Sequence, residues 1–188
     1  MTARRLAPGA RFTGRELVAV SGKPVRIPDP ARPVHLQLRR FAGCPICNLH
    51  LRSIVRRHAE IEAAGVREVV VFHSPTEELA THVADLPFEA IADPDKRLYA
   101  ELGVGSSPRA LLDPRAALPV LRAVLVGTFD ILRGRARPPA LLPHGGRLGL
   151  PGDFLIAPDG RVLACKYGEH ADDQWSVDEL LALARREA

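Results

Sequence analysis

The sequence of 188 residues contains only three cysteines, Cys44, Cys47 and Cys165. So small a number excludes the disulfide scaffold of a small secreted domain and fits a reducing compartment. Long apolar runs are also missing, because no stretch reaches the roughly 20 apolar residues that a membrane-spanning helix needs. The N-terminal residues MTARRLAP lack the apolar core of a signal peptide. We therefore expect a cytoplasmic protein with no membrane partner.

Charge of either sign is not concentrated in blocks, and the formal net charge is only +4. Arginines alternate with acids along most of the chain, which is typical of a solvated surface. One basic tract, Arg133 to Arg137, follows an apolar helical pattern, where cations complement the helix dipole. We expect no nucleic-acid partner. The length and the lack of internal repeats predict a single domain over residues 1–188.

What the chain does contain is a C-x-x-C motif, formed by Cys44 and Cys47, at the start of a helical pattern. The motif follows the apolar run Val34 to Leu38, and this passage from strand to helix is typical of thioredoxin-like redox sites. The unpaired N–H groups and the dipole of a helix N-terminus stabilise a thiolate and lower its pKa. Pro45 suits the first helical turn, where no N–H is needed. We predict that Cys44 attacks the substrate and that Cys47 resolves the mixed intermediate.

Two alternatives to redox chemistry remain open for this pair. Zinc coordination needs a second pair of ligands, but Cys165 stands alone and the seven histidines contain no pair at H-x3-5-H spacing. The other alternative is a pair of inert core cysteines. We favour redox chemistry, and we expect neither a metal ion nor a cofactor. Cys165 is expected to be a buried strand cysteine rather than a third redox centre.

Hydrophobic periodicity predicts alternating strands and helices along the chain. The expected strands are an N-terminal β-hairpin of residues 17–20 and 25–27, then 34–38, 66–72, 88–91, and a closing hairpin of 154–156 and 162–165. The expected helices cover residues 45–64, a segment after a capping box at Ser74, residues 93–102, and a last helix that begins at a capping box at Ser176. This order predicts an α/β protein of the thioredoxin-like fold, with a central mixed sheet flanked by helices.

Residues 103–150 interrupt this order and are predicted to be a helical insertion before the closing hairpin. The centre of this segment, from Asp113-Pro114 to Leu132, has the pattern of one long apolar helix with Pro119 in its first turns. Its apolar residues spread over more than one narrow stripe. We favour packing of this helix on its own domain. The alternatives are a lid over the redox site, a homodimer surface and a lipid-binding face.

With these features, the chain resembles the peroxiredoxin-like branch of the thioredoxin superfamily, the alkyl hydroperoxide reductase/thiol-specific antioxidant type. The segments that carry the resemblance are residues 41–51 (FAGCPICNLHL), 92–95 (ADPD), 150–156 (LPGDFLI), Asp159-Gly160 and 168–175 (GEHADDQW). The resemblance implies an antioxidant redox activity on a disulfide or a hydroperoxide. It also implies reduction of the protein by a cellular thiol or a thioredoxin-type reductant.

Two positions depart from the peroxiredoxin pattern. Peroxiredoxins carry Thr or Ser three residues before the reactive cysteine and Pro four residues earlier still, where this chain has Phe41 and Gln37. They also carry an arginine where this chain has Pro151, a position at which thioredoxins and glutaredoxins have a cis-proline. We therefore predict a cis Leu150–Pro151 bond. It would turn the Leu150 backbone outward to bind a substrate chain beside Cys44. An ordinary proline at the start of a strand is the alternative.

The closing hairpin is expected to bring the segment after it back to the edge of the sheet that carries Cys44. This segment contains His170, Asp172 and Trp175. His170 or Asp172 is a candidate proton shuttle for the leaving thiol, and Trp175 is a candidate part of a substrate platform. The alternative is a loop that only caps the final helix.

The leading functional hypothesis is a thiol-disulfide oxidoreductase that uses a Cys44–Cys47 dithiol/disulfide couple. The second is a peroxiredoxin-like thiol peroxidase, in which Cys44 forms a sulfenic acid that Cys47 condenses with. The third is a non-catalytic, redox-sensing interaction module whose insertion helix binds a partner.

Overall fold

The computed structural model describes residues 5–187. In chain order, the strands are β1 (Arg15–Val18), β2 (Pro24–Ile27), β3 (Val34–Arg39), β4 (Arg67–Phe72), β5 (Glu89–Ala92), β6 (Gly152–Ile156) and β7 (Val162–Tyr167). The helices are α1 (Pro45–Arg56), α2 (His58–Ala63), α3 (Thr76–Val83), α4 (Arg97–Leu102), α5 (Arg109–Leu112), α6 (Pro114–Leu132) and α7 (Val177–Glu187).

Five strands form one mixed sheet in the order β5-β4-β3-β6-β7. The β3–β4 and β4–β5 pairs are parallel, whereas β6 runs antiparallel to β3 and β7 antiparallel to β6. The predicted N-terminal hairpin is present as β1 and β2, which form a separate two-stranded sheet. This architecture confirms the predicted thioredoxin-like α/β fold.

The two faces of the central strand β3 carry different kinds of side chain, because successive side chains of a strand point to opposite faces. Val34, Leu36 and Leu38 belong to an apolar cluster that also contains residues of β2 and α4. The alternate residues, His35, Gln37 and Arg39, are polar and fully buried on the other face. β3 therefore has an apolar core on one face and a buried polar interior on the other.

The sequence predicts one helix over residues 45–64, but the structure divides it into α1 and α2. Arg57 separates them, because its backbone leaves the helical region at φ −114° and ψ 19°. Its guanidinium binds Glu60 at 2.8 Å and Asp178 of α7 at 2.7 Å. These contacts favour a bend that hydrophobic periodicity does not reveal.

Of the two predicted capping boxes, the structure confirms one. At the start of α7, the Glu179 N–H donates to Ser176 Oγ at 3.2 Å, and the Ser176 N–H donates to the Glu179 carboxylate at 2.7 Å. The predicted cap at Ser74 is wrong, because Pro75 precedes α3 and no side chain caps that helix. Ser74 Oγ instead accepts a hydrogen bond from the Ala42 N–H at 2.9 Å. It therefore fixes the turn that follows β3.

The predicted long helix within residues 103–150 is present as α6. Asp113 caps it by accepting a hydrogen bond from the Arg115 N–H at 2.9 Å, and Pro119 lies inside the helix without ending it. Within residues 5–187, no helix is long and apolar enough to cross a membrane.

Candidate active site

The turn between β3 and α1 carries the C-x-x-C motif. Cys44 occupies the N-cap position of α1, and Pro45 opens the helix. Gly43 has a positive φ of 73°. A Cβ at this position would lie 2.7 Å from His82 Cε1 and 3.1 Å from Pro139 Cα. The turn therefore requires glycine, and the segment after α6 closes over it.

The two thiols of the motif lie together and are fully buried. Cys44 Sγ lies 3.6 Å from Nη1 of Arg40, and Cys47 Sγ accepts a hydrogen bond from the Arg40 backbone N–H at 3.5 Å. Burial raises the pKa of Cys44, but the Cys47 thiol, the Arg40 guanidinium and backbone N–H groups of α1 outweigh it and lower that pKa to about 6. Burial and the neighbouring Cys44 raise the pKa of Cys47. At neutral pH the pair is a Cys44 thiolate hydrogen-bonded to a Cys47 thiol.

Arg40 is the residue of this site to which the sequence pattern assigned no role. Its side chain is only 2% exposed, its Nη2 donates to the carbonyl of Arg147, and its guanidinium lies 5.4 Å from the centre of the Phe41 ring. An arginine is buried so deeply only when it is paired, and the Cys44 thiolate is the anion among these contacts. The available signal was an arginine directly after a buried strand, four residues before the first cysteine.

Two further residues fix the backbone behind Arg40. The backbone N–H of His73 donates to the Arg40 carbonyl at 3.1 Å. The Tyr99 hydroxyl lies within hydrogen-bonding distance of the carbonyl oxygens of Arg39 and Val71, at 2.9 Å for the latter. Burial lowers the pKa of His73 to about 4, so its ring is neutral at pH 7.

The prediction of a cis-proline before β6 is wrong. Within residues 5–187 the one cis peptide bond is Ile27–Pro28, so Leu150–Pro151 is trans. The Leu150 N–H donates to the carbonyl of Gly105 at 3.0 Å, and the Pro151 carbonyl accepts a hydrogen bond from the Gly168 N–H at 3.0 Å. The Leu150 N–H and the Pro151 carbonyl are thus already paired within the protein.

The segment after β7 returns to the edge of the sheet that carries the motif. Ala171 is fully buried in the same apolar cluster as Cys44 and Cys47. The Asp172 N–H donates to His170 Nδ1 at 3.3 Å, and burial raises the pKa of Asp172. Among the described residues, no hydrogen bond joins either side chain to a thiol of the motif. The proton-shuttle role of His170 or Asp172 stays a prediction.

Trp175 lies in a different cluster from the two cysteines. It is 7% exposed and packs with apolar residues of α1, α2 and α7. Its ring centroid lies 5.6 Å from that of His35, and its backbone N–H donates to Asp153 Oδ2 at 3.4 Å. A ring in this position presents little surface to a substrate, so the structure gives no support to the predicted platform.

A fully buried ionic network underlies α1 on the polar face of β3. His35 Nδ1 lies 2.9 Å from Glu68 and its Nε2 lies 3.1 Å from Asp153. Nη2 of Arg39 lies 2.6 Å from the Asp153 carboxylate and 3.3 Å from Nε2 of His50 on α1. Burial lowers the pKa of His35, but the two carboxylates outweigh it and raise that pKa to about 9. The network joins β3, β4, β6 and the motif helix.

A groove of about 630 Å³ lies beside α1 and α3, and it reaches the basic tract after α6. One carboxylate, that of Asp85, lines the groove together with four arginines, Arg52, Arg56, Arg135 and Arg137. Arg52 binds Asp130 at 2.6 Å, whereas the other three have no carboxylate within 4 Å among residues 5–187. His82, which packs against Gly43, also lines the groove. The groove is therefore positively charged and reaches the motif turn.

Cys165 is separate from the motif. It lies on β7, is partly buried, and its S–H donates to the carbonyl of Leu6 at 3.4 Å. Burial raises its pKa, so it lacks the thiolate character of Cys44. Among the described residues, no group of three or more His, Cys, Asp and Glu side chains is placed to hold a metal ion.

A buried dithiol at a helix start on this sheet defines a thiol-dependent oxidoreductase of the thioredoxin fold. The sequence profile described as "AhpC/TSA antioxidant enzyme" matches residues 53–170, well over half of the chain. The chain therefore belongs to the AhpC/TSA antioxidant enzyme family. The matched range begins after Cys47, so it does not include the C-x-x-C motif. No curated protein sequence matches the chain.

Solved structures that share this fold come from two redox classes. Peroxidoxin BcpB from Mycobacterium tuberculosis is 17% identical, with a TM-score of 0.68 over 98% of this chain and 99% of that chain. Peroxiredoxin Q from Xanthomonas campestris is 15% identical, with a TM-score of 0.63 over 100% of both chains. The thioredoxin domain of a thiol-disulfide oxidoreductase from Bacteroides vulgatus is 13% identical, with a TM-score of 0.54 over 97% of this chain and 98% of that chain. At these identities the likeness shows the shared fold.

Proposed function

We propose that the protein is a thiol-disulfide oxidoreductase that cycles between a Cys44/Cys47 dithiol and an intramolecular disulfide. The observation that supports it is the asymmetry of the pair, in which the pKa of Cys44 is lowered to about 6 and that of Cys47 is raised. One turn of helix thus holds a nucleophilic thiolate and a second thiol that is protonated until it is needed.

The proposed cycle transfers two electrons from the dithiol to a substrate disulfide. The Cys44 thiolate attacks one sulfur of the substrate, forms a mixed disulfide, and releases the other sulfur as a thiolate that takes up a proton. The Cys47 thiol then loses its proton and attacks Cys44 Sγ. This step forms the Cys44–Cys47 disulfide and releases the second substrate thiol.

Substrate access requires movement, because Cys44 is fully buried. Pro139 lies over the motif turn, and the carbonyl of Arg147 accepts a hydrogen bond from Arg40. Residues 133–149 contain turns but no helix or strand, and most of them are exposed. Hydrogen bonds from Arg40, His73 and Lys96 hold residues 144–147. Displacement of the more exposed part around Pro139, residues 136–142, is therefore the proposed route by which a substrate reaches the thiolate.

A hydroperoxide is the second candidate substrate. The Arg40 guanidinium, 3.6 Å from Cys44 Sγ, provides a positive charge at the site even though Pro151 stands where peroxiredoxins have an arginine. In this cycle the thiolate takes one oxygen as a sulfenic acid and releases an alcohol, and Cys47 then condenses with it to form the same disulfide and water. Phe41, in place of a hydroxyl residue, argues for the disulfide as the preferred substrate.

Both cycles end at the same intramolecular disulfide and therefore need the same return step. A cellular thiol or a thioredoxin-type reductant provides two electrons and regenerates the dithiol. The reducing cytoplasm is the compartment in which such a reductant is abundant.

Quenched-flow oxidation of the reduced protein by a small disulfide and, in parallel, by hydrogen peroxide separates the candidates. The readout is the mass of the alkylated protein, with Cys165→Ser as the matched control because this cysteine lies outside the pair. We expect oxidation by the disulfide at least 100-fold faster than that of free cysteine, and oxidation by peroxide at the free-thiol rate. The reverse order identifies a peroxidase. Free-thiol rates with both oxidants identify a redox-sensing interaction module.

A further inference from the structure

Helix α6 exposes four leucines and Phe129, buries Ala116, Ala123 and Asp130, and half-buries Val120, Val126 and Ile131. Its outward side chains are Leu118, Leu121, Leu125, Phe129 and Leu132, with exposed fractions of 74%, 55%, 61%, 52% and 80%. A row of this kind on one helix is far more apolar surface than scattered single residues, and such patches mark interaction sites.

The inward face of α6 explains its packing on the domain. Among residues 5–187, the outward row belongs to no apolar core cluster, and the Arg133 guanidinium lies 3.8 Å from the centre of the Phe129 ring. Ala116 and Ala123 are buried, and a Cβ at Gly127 would lie 3.5 Å from the Cβ of Pro45 on α1. Asp130, on the same face, binds Arg52 of α1 at 2.6 Å. Small residues allow α6 to approach α1 closely, but they bury little apolar area. A helix that served only its own domain would place its leucines on this inner face.

The outward row has an internal symmetry. Relative to Leu125, its residues stand at positions −7, −4, 0, +4 and +7, so the row is unchanged when the direction of the helix is reversed. The successive spacings are three, four, four and three residues, which keep all five side chains on one stripe of the helix. Two antiparallel copies of α6, related by a twofold axis at Leu125, therefore place an apolar residue opposite every apolar residue.

This arrangement places apolar side chains opposite apolar side chains. Leu118 lies opposite Leu132 of the partner subunit, Leu121 lies opposite Phe129 of the partner subunit, and Leu125 meets its own copy. Arg122 lies opposite Thr128 of the partner subunit, so no like charges meet. The five side chains expose on the order of 500 Å² per subunit, so the pair buries about 1,000 Å², the area from which specific interfaces begin.

We propose that α6 is the interface of a homodimer in which two copies of the helix pack antiparallel about Leu125. The occupant of the exposed row is thus a second copy of this chain. The proposal does not depend on the substrate of the redox site.

Engineered cysteines test the register of this interface. Leu125→Cys places two thiols at the twofold axis, so mild oxidation gives a covalent dimer on a non-reducing gel. Leu118→Cys alone does not, because the two copies of residue 118 stand about 20 Å apart, at 1.5 Å per residue over 14 residues. The double variant Leu118→Cys/Leu132→Cys restores the covalent dimer. Equal cross-linking of Leu118→Cys and Leu125→Cys would overturn the proposed register.

A charge substitution tests the dimer itself without engineered thiols. We expect the wild-type protein to sediment as a dimer at 10–50 μM and Leu125→Asp to sediment as a monomer. Because Leu125 is exposed, the variant keeps the far-UV circular dichroism of the wild type. A wild-type monomer overturns the proposal. If this monomer binds vesicles of anionic phospholipid and Leu125→Asp does not, the exposed row serves a lipid surface instead.

Discussion

Nη1 of Arg40 lies 3.6 Å from Sγ of Cys44, and both side chains are buried. This contact joins the end of the central strand to the start of the motif helix. A guanidinium in a buried site stabilises a thiolate more strongly than it does in water, because the local dielectric constant is lower. The reactivity of Cys44 therefore depends on a residue outside the C-x-x-C motif.

Replacement of this arginine should raise the pKa of Cys44. In Arg40→Gln the thiolate loses its positive neighbour, and we expect the pKa to rise from about 6 by roughly 1–2 units. The rate of alkylation of Cys44 by iodoacetamide, measured between pH 4.5 and 9.5, gives this pKa as its midpoint. The matched control is Arg56→Gln, at an exposed arginine of α1, which should leave the midpoint unchanged. Equal midpoints for Arg40→Gln and the wild type would show that the guanidinium does not lower the pKa of Cys44.

The buried network predicts a loss of stability at alkaline pH. The pKa of His35 is about 9 in the folded protein and about 6.5 in the unfolded chain. The contribution of protonated His35 to the free energy of unfolding is therefore complete below pH 6.5 and is lost as the pH rises through 9. Cys44 acts in the opposite direction in this window, because its folded pKa of about 6 lies below its unfolded value.

This opposition requires the measurement to be made in Cys44→Ser. In that variant we expect the free energy of unfolding in urea to fall by on the order of 2–3 kcal/mol between pH 6.5 and 9.5. Adding His35→Gln should remove most of this slope, whereas adding His144→Gln, at an exposed histidine, should not. The same slope in all three proteins would show that His35 is not the responsible group.

Gly43 should tolerate alanine less well than another glycine of the same backbone conformation. Gly22 has a similar positive φ of 82°, but a Cβ there meets nothing within 4 Å, whereas at Gly43 it meets His82 and Pro139. Gly22→Ala therefore measures the backbone penalty alone, about 1 kcal/mol. Gly43→Ala should lower the free energy of unfolding by roughly 1–3 kcal/mol more, because it also distorts the closed turn. Equal losses would show that the segment after α6 does not press on the motif.

The charged groove predicts a preference for acidic substrates. Arg135 and Arg137 line it without a carboxylate partner among the described residues, and His82 connects it to the motif turn. In Arg135→Glu/Arg137→Glu we expect kcat/KM for oxidised glutathione, which carries carboxylates, to fall about 10-fold. The value for uncharged 2-hydroxyethyl disulfide should change less than twofold. A parallel loss for both disulfides would indicate a general defect rather than charge recognition.

Local patterns were sufficient to predict most of the fold. The apolar run from Val66 to Phe72 contains β4, the run that starts at Val34 forms β3, and the capping box predicted at Ser176 is present. Each of these depends on neighbours within a few residues, which the sequence displays directly. Arg57 and Ser74 are exceptions, because each binds a partner that is distant in the chain. The bend at Arg57 accompanies an ion pair with Asp178, and the Ser74 hydroxyl accepts from the Ala42 N–H instead of capping α3.

The site was less predictable than the fold, because its contacts join distant segments. Cys44 and Cys47 were visible as a motif, but the role of Arg40 depends on how its side chain folds back onto Cys44. The prediction for Pro151 relied on resemblance, and the pairing of Leu150 with Gly105 was not visible in the sequence. The segment of Trp175 returns to the sheet edge as predicted, but the Trp175 ring packs in the interior beside His35.

The most direct test of the central claim is to trap the intermediate between the two thiol steps. Cys47→Ser removes the resolving thiol, so reduced protein mixed with 5,5′-dithiobis(2-nitrobenzoic acid) should accumulate a mixed disulfide at Cys44, identified by peptide mass mapping. Cys44→Ser should form no such adduct at position 47 at a comparable rate, because burial, the largest cause of the raised pKa of Cys47, remains in this variant. We expect at least a 100-fold difference in the rate of adduct formation between the two variants. An adduct that forms faster on Cys47 than on Cys44 would contradict the assignment of the nucleophile.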